Sequence, residues 1–138
     1  MILVAQIHSF WRWIVLLAAI LAVVKAFAGW FGKQSWTSLD DRLGLFFTVA
    51  IDIQFLLGLI LYIGVLTGNY AKFYAGQIGR LTGEHVVLGI IALAVAHIGR
   101  SRAKKQSTAQ SKHQTVAIAF VIALLLIAVA IPRGAWTF

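Results

Sequence analysis

Four long apolar runs, Phe10–Trp30, Leu43–Leu66, His85–Ile98 and Thr115–Ile131, fill most of this chain, with short polar segments between them. A bilayer core of about 30 Å takes roughly 20 mostly apolar residues of helix. Backbone groups in hydrocarbon have no water to bond, so they must pair within their own segment. With their flanks, the runs predict helices over about 8–30, 43–66, 83–99 and 114–132. The expected fold is all-α, a single integral membrane four-helix bundle over 1–138. No intervening segment exceeds about 20 residues, so no room is left for a second, soluble domain.

Composition agrees. The chain is 61% hydrophobic and 12% charged, with mean hydropathy +0.90. A soluble domain carries about twice that charge. The chain has no cysteine, which excludes disulfides, thiolate metal sites and covalently attached haem. The start, MILVAQIHSFWRW, has no positive residue ahead of its apolar run. Ala26-Phe27-Ala28 resembles a signal-peptidase site, but Lys25 directly precedes it, so the first run is read as a retained helix.

The formal net charge of +8 does not mark a nucleic-acid binder, because the basic residues flank apolar runs. Segments 29–42 and 99–112 hold seven Lys/Arg: Lys33, Arg42, Arg100, Arg102, Lys104, Lys105 and Lys112. The opposite side holds three: Lys72, Arg80 and Arg133. The positive-inside rule then puts the basic segments in the cytoplasm and both termini on the outer side. Tyr70, Phe73 and Tyr74, among glycines, are expected to lie along the outer interface, and the five tryptophans fall near helix ends like an aromatic belt. Ser38 or Asp40 is expected to cap the second helix.

The polar residues inside the runs carry the functional information, since each is costly in lipid. His8 and Arg12 are four apart and share a helix face. Arg12 lies about 6 Å deeper, and its side chain leans back toward the outer surface. The third run has the same direction as the first and opens on Glu84-His85, so His85 shares the depth of His8. Gly89, Ala92 and Ala96 continue the His85 face with small residues, which let a helix or a flat macrocycle approach.

Three readings of this cluster stand side by side. The first is bis-imidazole haem b, with His8 and His85 on the iron and Arg12 at a propionate. The second is a cofactor-free polar cluster, with Glu84 paired to Arg12. The third is a site for a quinone or another small molecule. His97 and His113, near the cytoplasmic ends, make a weaker second haem pair, because His97 is about 120° round the helix from His85. Asp52, in the middle of the second run, is expected to form an ion pair with Lys25, the alternative being a neutral, protonated carboxyl. The fourth run has no polar residue between Ala117 and Ile131 and reads as packing or lipid-facing surface.

The stretches His8-Ser9-Phe10-Trp11-Arg12-Trp13, Ile53 to Tyr62, Glu84-His85 and Lys112-His113-Gln114-Thr115 resemble a family of small four-helix bacterial inner-membrane proteins. Some of its members carry the label cytochrome b. The resemblance covers nearly the whole chain. It implies a bacterial cytoplasmic-membrane location and haem b, with His8 and His85 at the matching positions.

The resulting expectation is a small membrane subunit of a respiratory or photosynthetic electron-transfer complex, holding one haem b near the outer face. Its partners would be the lipid bilayer, other integral membrane subunits and a quinone, without nucleic acid. No catalytic constellation is present, so enzymatic activity of the chain alone is not expected. The competing expectation is a cofactor-free accessory subunit that stabilises a larger complex.

Overall fold

The computed structural model of the chain describes residues 2–68 and 80–136, leaving aside the side chains of 80–82. The expected interfacial placement of Tyr70, Phe73 and Tyr74 lies outside the described residues. Four helices follow in order: α1 (Ile2–Phe31), α2 (Ser38–Leu66), α3 (Arg80–Lys104) and α4 (Ala109–Ala130). A short 3-10 turn over Arg133–Ala135 follows Pro132. No strand occurs among the described residues. Each of the four helices is long and apolar enough to cross a membrane.

The helices outrun the apolar runs that predicted them. α2 starts at Ser38 because Thr37, in extended conformation, caps it. The Asp40 carboxylate reaches back and accepts from Thr37 N–H at 2.8 Å and from Thr37 Oγ1 at 2.9 Å. The cap is thus Thr37, with Asp40 in the third helical position, as in a capping box. α3 continues through Arg100 and Arg102 to Lys104. α4 starts at Ala109, where the Thr108 hydroxyl accepts from Ser111 N–H at 3.1 Å. Lysine and arginine favour helix and do not end it, so the polar tip between α3 and α4 shrinks to residues 105–108.

The helices pack in the cyclic order α1, α2, α3, α4, which sets α1 and α3 on one diagonal. The α3–α4 seam is the most extensive and the α2–α3 seam the thinnest. The core is rich in alanine: Ala18, Ala19, Ala50, Ala92, Ala96, Ala117 and Ala123 are fully buried. Small residues let membrane helices approach closely, where van der Waals contact is the main source of association. The tightest approach is at Gly99, where an added Cβ would overlap the Ala119 Cβ. Phe47 and Phe120 fill the wider part of the core, ring edge to ring face, with centroids 4.9 Å apart. The outer surface is apolar, with Leu3, Phe10, Val24, Leu125 and Val129 all more than half exposed. Such a surface suits lipid and not water.

Trp11 departs from the expected aromatic belt. Its indole N–H turns inward and donates to the Ala50 carbonyl of α2 at 2.9 Å. Trp13 and Trp136 meet edge to face, with ring centroids 6.1 Å apart. At the other end of the bundle Trp30 stacks on Phe31 and Trp36 packs on His113.

Candidate functional site

His8 sits two turns into α1 and His85 one turn into α3. Both helices run in the same direction, so the rings lie at one level on the bundle diagonal. Their centroids are 6.0 Å apart and their planes are inclined by 75°. The two imidazoles singled out for their matched depth therefore meet across the bundle.

The hydrogen bonds fix which nitrogens carry the protons. His85 Nδ1 lies 2.9 Å from the Ala130 carbonyl at the end of α4. A carbonyl only accepts, so Nδ1 carries the proton and Nε2 keeps its lone pair. Gln54 of α2 donates from Nε2 to the His8 carbonyl at 3.1 Å, and the same amide nitrogen is 3.3 Å from His8 Nε2. An N–H directed at His8 Nε2 makes that nitrogen the acceptor too. In both rings the lone pair then resides on Nε2, the atom a metal would take.

The same end concentrates unmet hydrogen bonds. Among the described residues, five buried side-chain polar atoms lack a hydrogen-bond partner, and three of them belong here: His8 Nδ1, Gln54 Oε1 and Arg12 Nε. Arg12 lies one turn along from His8, with its guanidinium carbon 5.2 Å from the Trp13 ring centroid. Buried groups of this kind are normally paired, and an exception needs a reason. Two glycines flank the rings. An added Cβ at Gly58 would stand 3.2 Å from His8 Cε1, so the ring rests on bare backbone of α2. An added Cβ at Gly89, one turn beyond His85, would meet nothing within 4 Å. Ala92 and Ala96, further along that face, are fully buried in the bundle.

Two imidazoles side by side are a donor set that could hold a metal. No group of three or more His, Cys, Asp or Glu side chains gathers among the described residues. His8 and His85 are the residues that would hold a haem iron, if one were bound at this end.

The other polar groups pair differently from expectation. Lys25 does not reach Asp52. Its ammonium is 2.7 Å from Asp40 Oδ1 and donates at 3.2 Å to Gln34 Oε1. The early start of α2 brings Asp40 down beside Lys25. Asp52 instead meets His97 of α3, Oδ1 to Nε2, at 2.7 Å. His97 is thus committed to α2, while His113 is fully buried at the α1–α4 contact, against Gly29 and Trp36. Its Nε2 is 3.3 Å from the Ser35 carbonyl and its Nδ1 is 3.8 Å from Asp40 Oδ1. His97 and His113 therefore do not form a second pair for haem.

Gln54 and Gly58 are the site residues that sequence reasoning left out. The signal for both was present, since positions 54 and 58 are one turn apart on α2 and flank the level of His8. A polar amide followed at helical spacing by a glycine marks a face that admits a neighbouring side chain. Comparison with family models, with characterised proteins and with solved structures gives no match for this chain.

Proposed function

We propose that this chain is a small subunit of an electron-transfer assembly in a bacterial cytoplasmic membrane, and that it holds one haem b between His8 and His85. The observation that carries this reading is the meeting of two imidazoles across the bundle diagonal, at the end where buried polar atoms lack partners. Haem b bound there would supply one-electron exchange without proton or atom transfer. The residues of the chain do the rest. The Ala130 carbonyl accepts from His85 Nδ1 and so orients the ring, as backbone carbonyls do for metal-bound histidine. Gln54 fixes the level of His8 through its backbone carbonyl. Arg12 offers a positive charge to a propionate. The asymmetry of seven Lys/Arg against three supports placing this end at the outer face.

A second reading is a cofactor-free accessory subunit. It is favoured by the direct edge contact of the two rings and by the position of Gln54 against His8 Nε2. Absorption spectroscopy separates the two. Protein purified from haem-replete cells should show a sharp b-type α-band in the reduced-minus-oxidised spectrum. His8→Ala and His85→Ala should each abolish the low-spin signature, and His97→Ala should keep it. A flat spectrum from folded wild-type protein would refute haem binding and leave the accessory role.

A further inference from the structure

One nitrogen of the His113 ring has no hydrogen bond. The ring is fully buried, and its Nε2 is 3.3 Å from the Ser35 carbonyl. A carbonyl only accepts, so Nε2 carries a proton. Nδ1 has no hydrogen-bond partner, and the carboxylate oxygen it faces, Asp40 Oδ1, is 3.8 Å away. That is beyond hydrogen-bond range. A second ring proton would make His113 a buried cation beside the Lys25 ammonium, which already neutralises Asp40 at 2.7 Å. Lys112 holds a further positive charge 5.9 Å from the centroid of the Trp36 ring, which packs on His113. A buried charge without its own counter-charge is costly. The ring is therefore neutral, and Nδ1 is a lone pair turned toward a carboxylate. Two acceptors that face each other need a donor between them.

His113 and Asp40 line a shared cavity of about 10 Å³, together with Lys25, Ala22, Ala26 and Val116. That is about the least volume that holds one water molecule. The polar groups around it have the matching capacity. A carboxylate has about four lone-pair sites. Asp40 Oδ2 accepts from Thr37 N–H and Thr37 Oγ1, and Oδ1 accepts from Lys25, which leaves one site on Oδ1. Lys25 has three N–H groups and gives two of them to Asp40 and Gln34. We propose that this cavity binds a single water, which donates to His113 Nδ1 and to Asp40 Oδ1 and accepts from the third Lys25 N–H. Two atoms 3.8 Å apart can each lie about 2.8–3.0 Å from one water oxygen. Three hydrogen bonds are the usual number for a buried water. Other occupants fit less well. The carboxylate repels an anion, the ammonium repels a metal cation, and an apolar group would leave Nδ1 unmet. Lys25, Asp40 and His113 belong to α1, α2 and α4. The water therefore joins three helices where His113 does not itself reach the Lys25–Asp40 pair.

Two measurements on the full chain test this. Crystals grown from a lipid phase, diffracting well enough to show ordered water, should carry one density peak within hydrogen-bond distance of both His113 Nδ1 and Asp40 Oδ1. The peak should be lost in His113→Phe, which keeps a ring but removes both nitrogens. Solid-state NMR of protein in bilayers at neutral pH, with isotope-labelled histidine, reports the proton positions. The His113 signal, identified by its proximity to the Ser35 carbonyl carbon, should be that of a neutral ring protonated on Nε2 alone. Absence of the peak from the wild type would overturn the proposal, as would a His113 ring protonated on Nδ1 or on both nitrogens. A peak that persists in His113→Phe would show that the ring does not hold the water. The two wild-type measurements decide the matter even where His113→Phe does not fold, and neither depends on haem.

Discussion

Gly29→Ala tests the packing at the Asp40–His113 end of the bundle. Gly29 is buried on α1, and the fully buried His113 ring lies directly on it. An added Cβ would overlap three ring atoms. The ring cannot step aside freely, because Trp36 packs on it with centroids 5.0 Å apart and the Ser35 carbonyl holds its Nε2. Overpacking of this kind costs about 1–3 kcal/mol. Loss of the Ser35 contact adds about 1 kcal/mol. Alanine returns about 1 kcal/mol in helix propensity. The net expectation is destabilisation by about 1–3 kcal/mol. For a chain of this size that lowers the melting temperature by roughly 3–10 °C. Thermal unfolding in mild detergent, followed by the fluorescence of Trp30 and Trp36 beside the site, measures it. Gly89→Ala is the matched control: its Cβ would meet nothing within 4 Å, so only the propensity gain applies and stability should hold or rise. The double variant Gly29→Ala, His113→Ala should lose less than the two single losses added together. A Gly29→Ala protein that melts at or above the wild-type temperature would refute the contact.

Three further outcomes are expected. Asp40→Asn should destabilise the bundle by about 1–3 kcal/mol, because it strands the Lys25 ammonium, and adding Lys25→Met should recover part of the loss in a double-mutant cycle. Additive losses would show that the pair is not coupled. Arg12→Leu should keep haem but lower its midpoint potential in a redox titration, since a nearby positive charge favours the reduced form; an unchanged potential would place Arg12 away from the iron's field. Ser107→Cys should react with a membrane-impermeant reagent only after lysis of spheroplasts, and labelling of intact spheroplasts would invert the orientation drawn from the basic segments.

The sequence was most legible where one coordinate sufficed. Apolar length fixed the four helices, and counting from parallel helix starts put His8 and His85 at one level. Both are statements about depth. Asp52 shows where that reasoning ends. Depth alone made Lys25 its partner, but a contact also requires the right direction around the helix axis, and that depends on how α2 packs against α3. Asp52 turns to the α2–α3 seam and finds His97. A small boundary error widened the miss. Because Thr37 starts α2 about five residues earlier than the apolar run does, Asp40 enters the first turn and takes Lys25. His97 was misplaced for a related reason. The basic residues after it read as a loop, yet α3 carries them as helix to Lys104. Charge marks where hydrocarbon ends, and the helix ends elsewhere.

The alanine-rich middle of the bundle has an electrical consequence. Between the His8–His85 end and the Asp40–His113 end, α1 runs about 17 Å from Val15 to Ala26 through closely packed small side chains. Thr48 is the one buried polar side chain described there, and its hydroxyl folds back to its own helix, donating to the Gly44 carbonyl at 3.1 Å. Among the described residues the buried layer holds no ladder for protons, and the Asp52–His97 pair stands outside it on the exposed α2–α3 seam. A full charge crossing is worth about 2.3 kcal/mol per 100 mV, but charge exchanged at the histidine end traverses only a small part of that field. If haem binds there as proposed, its redox reaction should be nearly insensitive to membrane voltage.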